Sequence, residues 1–370
     1  MARAIDLLLS RTAGAALVLG GLFGWLEATR PPRTVIQELD RELGWVILPS
    51  QSHFDRHLKV PEVINQWGFR GKEWAPEPAA GVTRIAILGS SMTYGSSVQF
   101  EDLYTSRVES LLSAAGERVE VLNCGVQGYT ISQAVKCYEL KVRALRPHIV
   151  VYALADQDVK FAESHGVPPR GDLRPWITRT EFYRRTQYEW QDKLKKAAPE
   201  NPKPGWLAAQ QTEKLLKTND LLANNPFAPD LMPLWEEAAR QLERFREAVR
   251  ADGASFVVTV LPQRPQALNP QFVGPELVVR KALTGKDGAH YVDAIRPIQE
   301  ALTPLREKLR AASPSESGAI YRNAGEAHGK DLYQVDDRND LGHFAERGME
   351  VIAAALAQGL RPMVKASSAR

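Results

Sequence analysis

The chain has 370 residues, 44% of them hydrophobic and 25% charged, with 47 Lys+Arg against 44 Asp+Glu and a formal net charge of +3. That length and apolar share exclude a disordered chain and allow one large core with additions. The near balance of charge, with no Lys/Arg block interleaved with aromatics, speaks against nucleic acid as a partner. Two cysteines, Cys124 and Cys137, read as small buried apolar residues, with a disulfide between them open if the protein is exported; there is no ligand spacing for zinc, and no metal and no cofactor are expected.

At the N-terminus, Arg3 and Arg11 precede an uncharged apolar run at 12–26. The run is shorter than the ~20 residues of a comfortable membrane span and near the length of a signal-peptide core. Residues 27–32 hold no clear small-x-small cleavage site. Residues 1–30 are therefore expected to be a signal peptide or, by preference, an uncleaved anchor that places the body in the cell envelope, outside the cytoplasmic membrane. A buried amphipathic helix in a cytoplasmic protein is the competing reading. Residues 31–80, rich in Pro, Trp and polar side chains, read as a linker and N-terminal extension packed on the main domain. Trp67 and Trp74 flank a tight turn at 68–71, where Arg70 is either a packing residue or a substrate contact.

From 81 to 362 strand and helix patterns alternate. A strand at 84–88 empties into Gly89-Ser90-Ser91-Met92-Thr93-Tyr94-Gly95, a turn that presents hydroxyls where open α/β sheets place their ligands. Helical spacing follows at 103–115, a strand at 119–122, the loop Asn123-Cys124-Gly125-Val126-Gln127-Gly128-Tyr129-Thr130, and a helix at 132–145. The apolar run 149–154 reads as a strand buried on both faces. Leu154-Ala155-Asp156-Gln157-Asp158 ends it. Residues 161–233 break the pattern with Pro168, Pro169, Pro199, Pro202 and Pro204, and form an insertion that is either a lid with aromatics able to stack on sugar rings or a satellite core. A helix at 234–249, a strand at 255–261 and a short strand at 291–292 follow. Asp340-Leu341-Gly342-His343 then stands just ahead of a helix at 351–360, with 363–370 as a tail. An Asp three residues before a His suits a carboxylate that orients an imidazole, which can take a proton from a serine. Strands alternating with helices predict a three-layer α/β/α, flavodoxin-like fold with a parallel sheet of about five strands.

Taken together, the four blocks at 89–95, 123–130, 154–158 and 340–348 resemble those of the SGNH (GDSL-type) hydrolase superfamily, and 64–71 resembles the lead-in of its bacterial envelope members. The resemblance implies a serine esterase with Ser91 as nucleophile, His343 as base and Asp340 as its orienting carboxylate. It further implies an oxyanion hole from Ser91, Gly128 and Gln157, and substrate contacts from Arg70, Tyr94, Tyr129 and Asp158. The implied partners are a small-molecule ester or an acylated glycan, hydrolysed or used to acylate a sugar hydroxyl. Lipase and thioesterase chemistry fit the same blocks. Two departures stand out: Ser90 occupies a position that is usually Asp, and Gln157 one that is usually Asn. They keep open a weakened or inactive member that only binds or scaffolds polysaccharide.

Overall fold

The structure, a computed structural model, describes residues 14, 18, 20–21, 37–54, 61–95, 98–155, 228–268, 274–283, 285, 289–311, 332–333 and 343–368. Two antiparallel hairpins come first, β1 (Gln37–Asp40) with β2 (Gly44–Ile47), and β3 (Gln51–Phe54) with β4 (Pro61–Ile64). Within 31–80, read from the sequence as a linker and packed extension, the chain thus folds back on itself twice. Leu43, Ile47, Ile64, Phe69 and Trp74 are buried and join the main core, so the extension is docked rather than tethered.

Five strands build the parallel sheet: β5 (Thr83–Gly89), β6 (Val119–Gly125), β7 (Ile149–Leu154), β8 (Ser255–Val260) and β9 (Ala289–Tyr291). Their order is β6-β5-β7-β8-β9, the flavodoxin-like arrangement in which the second strand lies outside the first. All residues of β5 and β7 are buried, because helices cover both faces and leave no side for polar alternation. Side chains of alternate parity divide between two cores. Ala86, Leu88, Val150, Tyr152, Phe256 and Val258 face one. Ile85, Ile87, Ile149, Val151 and Val257 face the other.

The helices are α1 (Ser91–Tyr94), α2 (Tyr104–Ala114), α3 (Ile131–Leu140), α4 (Met232–Ala251), α5 (Arg264–Leu268), α6 (Gly274–Leu283), α7 (Ile295–Ala301), α8 (Thr303–Ala311) and α9 (Glu346–Ser368). Helices α3, α4 and α6 cover the first core, together with the hairpins. Helices α2, α7, α8 and α9 cover the second. The sequence pattern missed α5 to α8 and placed a tail from 363. Instead α9 runs through Pro362 to Ser368, because Met349, Ile352, Leu356, Leu360 and Val364 continue one buried stripe at helical spacing.

Residues 14, 18, 20 and 21 are helical and exposed, and the rest of the expected membrane segment lies outside the described residues. Among the described residues no helix is long and apolar enough to cross a membrane. The insertion is described only at its end, where Ala228, Leu231, Trp235 and Ala238 form a small cluster.

Candidate active site

Strand β5 delivers Ser91 to the carboxyl edge of the sheet as the first residue of α1, a single turn of four residues. The turn closes through Tyr94 N–H to Ser90 O (2.9 Å) and Gly95 N–H to Ser91 O (2.9 Å). The leading amides of such a turn, Ser91's among them, have no intrahelical acceptor. Two glycines let it sit so low. A Cβ on Gly89 would come within 2.2 Å of Thr93 Oγ1, and one on Gly125 within 2.3 Å of the Tyr94 nitrogen. From below, the buried Tyr104 hydroxyl donates to Thr93 Oγ1 at 2.9 Å. Ser91 is partly exposed, whereas Ser90 beside it is buried.

Gly128 lies in the loop that follows the neighbouring strand, β6. Gly89 and Gly125 are register partners, and Val126 N–H donates to Gly89 O at 3.0 Å, so the loop after β6 starts beside the Ser91 turn. Gly128 has φ +80, which a side chain would strain, and is exposed. Trp45 of β2 lies against it. The indole N–H donates to Gln127 O at 3.2 Å, and the Tyr129 hydroxyl donates to Trp45 O at 2.6 Å. Sequence reasoning marked Trp67 and Trp74 but passed over Trp45. Its only signal was an aromatic in an alternating segment, with nothing to announce contact 82 residues away.

His343 reaches the same edge by a different route. Residues 332–333 and 343–345 form a short bridge: Tyr333 pairs with Phe344, and Ala345 N–H donates to Leu332 O at 3.0 Å. The Tyr333 and Phe344 rings stack at 4.7 Å between centroids. The Tyr333 hydroxyl donates to Pro262 O at 2.7 Å, just past the end of β8. Strand β8 is two positions from β5 in the sheet, roughly 10 Å at the usual strand spacing. Ser91, Gly128 and His343, far apart in sequence, therefore share the carboxyl edge. Asp340, Gln157 and Asp158 lie outside the described residues.

The other three expected contacts are buried. Arg70, Tyr94 and Tyr129 are 2%, 1% and 3% exposed. Arg70 is spent on the Glu62 carboxylate (2.7 Å) and on main-chain carbonyls at the end of α1 and just beyond it. Tyr94 packs under that guanidinium, 5.5 Å from ring to charge, and Tyr129 edges onto Trp45. Their burial follows from their position behind the edge, where the hairpins press on the sheet.

Cys124 and Cys137 are buried free thiols, and burial pushes Cys137 up to about 11, so neither is poised as a nucleophile. Among the described residues no group of His, Cys, Asp and Glu could hold a metal ion. A cavity of about 900 Å³ opens at the opposite, amino edge, lined by His148, Ser255, His290, Asp293 and Met363 among others. It contains none of the groups just described.

No known protein family matches the sequence, and no curated protein matches it. Solved structures do. The chain is similar to TesA at 10% identity, covering 76% of this chain and 99% of that one with a TM-score of 0.40. It is similar to Axe2, an acetylxylan esterase from Geobacillus stearothermophilus, at 14% identity, covering 75% and 94% with a TM-score of 0.40. It is similar to a lipolytic protein of the G-D-S-L family from Desulfitobacterium hafniense DCB-2 at 9% identity, covering 75% and 99% with a TM-score of 0.38. Likeness at this level assigns neither activity nor substrate to this chain.

Proposed function

We propose that this protein is a serine esterase of the SGNH type, working through an acyl-enzyme. The reading is supported by the pairing of Gly89 with Gly125, which starts the Ser91 turn and the Gly128 loop from adjacent strands, and by the Tyr333–Pro262 contact, which ties the segment next to His343 to the same edge. In this reading His343 takes the proton from Ser91 Oγ, and the oxygen attacks the ester carbonyl. The main-chain N–H groups of Ser91 and Gly128, with the Gln157 amide, receive the developing oxyanion. Collapse expels the alcohol, which leaves with the proton held by His343. Water then gives its proton to His343 and attacks the acyl-enzyme, releasing the acid and restoring Ser91. Asp340 orients His343 and offsets the imidazolium charge. A sugar hydroxyl in place of water makes the same site an acyltransferase.

O-acylated envelope carbohydrate is the substrate class we favour, supported by the resemblance of 64–71 to envelope members and by the apolar run 12–26 ahead of the body. Acetyl release from an acetylated glycan, with and without an acceptor glycan, separates hydrolysis from transfer. Fractionation of cells separates an envelope from a cytoplasmic location. Ser90 and Gln157 support a second reading, a fold that binds glycan without turnover. Hydrolysis of p-nitrophenyl acetate by the purified chain, lost in Ser91→Ala, supports the first reading. Equal rates in the two proteins refute it.

A further inference from the structure

We propose that Arg70 and Glu62, a buried ion pair in the N-terminal extension, are positioning residues for the nucleophile: they clamp the carboxyl end of the turn whose first residue is Ser91. The inference rests on the esterase reading of Ser91.

Period-two alternation in β4 points Glu62 and Ile64 inward, at 4% and 1% exposure, and Val63 outward. A built turn then brings Arg70 back beside them. Asn65 Oδ1 accepts the N–H groups of Trp67 (3.0 Å) and Phe69 (3.1 Å), and Asn65 Nδ2 donates to Lys72 O (3.0 Å). Ile64 and Arg70 close the turn as an antiparallel bridge. The guanidinium leaves this turn with its Nε 2.7 Å from Glu62 Oε1. Its Nη1 donates to Tyr94 O (3.2 Å) and to Gly95 O, and its Nη2 donates to Val98 O (2.5 Å).

These carbonyls have a specific meaning. Tyr94 and Gly95 end the turn that Ser91 begins, and a helix leaves its last carbonyls without intrahelical donors. One turn of helix does not hold itself together, since nucleation costs more than a single turn returns. An external cation with a planar fork can satisfy several of those carbonyls at once while keeping one edge for a carboxylate. Buried as it is, Arg70 cannot also greet a substrate. Slack at Tyr94 passes directly to Ser91, three residues away in the same turn.

The test uses the full chain with Arg70→Lys and Glu62→Gln. Lysine keeps the charge and the Glu62 pair but, as a point donor, cannot span three carbonyls. Four readouts are taken: kcat and KM on p-nitrophenyl acetate, the rate of fluorophosphonate labelling, the melting temperature, and amide exchange at Tyr94 and Gly95. For folded Arg70→Lys we expect kcat down about tenfold or more, short of the ~100-fold that a 1 Å misplacement can cost, with KM within about twofold. Labelling should slow in parallel, and both amides should exchange faster. Glu62→Gln should show the same pattern more weakly, and it decides the matter if Arg70→Lys does not fold. Variants that melt lower yet keep wild-type kcat and wild-type amide exchange overturn the proposal. If wild-type protein takes no label at Ser91, the esterase reading fails, while unchanged exchange in the variants refutes the clamp separately.

Discussion

Gly128→Ala tests the proposed oxyanion role of the 126–129 loop separately from the rest of the site. Its φ of +80 lies in the left-handed region, which costs an L-residue about 1–2 kcal/mol. The new methyl would also stand 3.0 Å from Trp45 Cζ2, closer than ordinary contact. The indole has little room to yield. Its N–H is tied to Gln127 O at 3.2 Å, and the Trp45 main-chain carbonyl receives the Tyr129 hydroxyl at 2.6 Å. The backbone at 126–129 must therefore shift, and the Gly128 N–H turns with it. Stability should fall by about 1–2 kcal/mol, a few degrees in melting temperature. Loss of one aimed oxyanion donor should cost about 10²–10³ in kcat, with little change in KM, because the bond forms in the transition state rather than the ground state. Steady-state kinetics on p-nitrophenyl acetate beside thermal melts make the measurement. A variant that melts lower but keeps kcat within about threefold would refute Gly128 as an oxyanion donor, since the expected loss is far larger.

His343→Ala should lower kcat by at least about a thousandfold, because the serine loses its base, and should leave the melting temperature nearly unchanged since His343 is partly exposed; a wild-type rate contradicts its role. Arg84→Met should destabilise the fold by about 3 kcal/mol, the low end for a buried pair, since the Glu120 side chain keeps 22% exposure. The cause is the loss of donors to Glu120 Oε2 (2.8 Å), Pro76 O (3.0 Å) and Leu145 O (2.6 Å); urea melts with an unchanged slope and a shift below about 1 kcal/mol would contradict it. Burial, and then the Arg84 charge, hold His148 below the ordinary imidazole value, and its Nδ1 accepts the Arg84 N–H at 3.0 Å. The folded state thus binds this proton less readily than the unfolded chain. Its contribution is complete above about pH 6.5 and is lost as pH falls through the lower folded value. His148→Asn, which can still accept that bond, should flatten the stability profile on the acid side, and an identical profile in the variant would contradict the assignment.

The sheet was legible because its strands carry strong local signals. Residues 149–154 were bounded correctly from an unbroken apolar run, and 84–88 missed only one residue at each end. The blocks around Ser91 and Gly128 were legible because a turn that approaches bare backbone needs glycine at 89 and 125. What escaped depends on partners that the local pattern does not name. Trp45 meets Gln127 and Glu62 meets Arg70 through tertiary packing, and a tryptophan or a carboxylate in a Pro-rich stretch does not reveal its partner. For Arg70 the sequence left a packing role and a substrate contact open. An arginine beside glycines suggests a ligand contact, whereas burial turns it toward main-chain carbonyls. Helices α5 to α8 are short or interrupted by proline, so their period is too brief to read.

Covalent labelling tests the account most directly. Wild-type protein, Ser91→Ala and His343→Ala are exposed to a fluorophosphonate, digested, and mapped by mass spectrometry. A single adduct on Ser91 in the wild type, absent in Ser91→Ala and formed far more slowly in His343→Ala, is the predicted result. An adduct elsewhere, or a Ser91 adduct whose rate ignores His343, would contradict the shared edge as a working nucleophile and base.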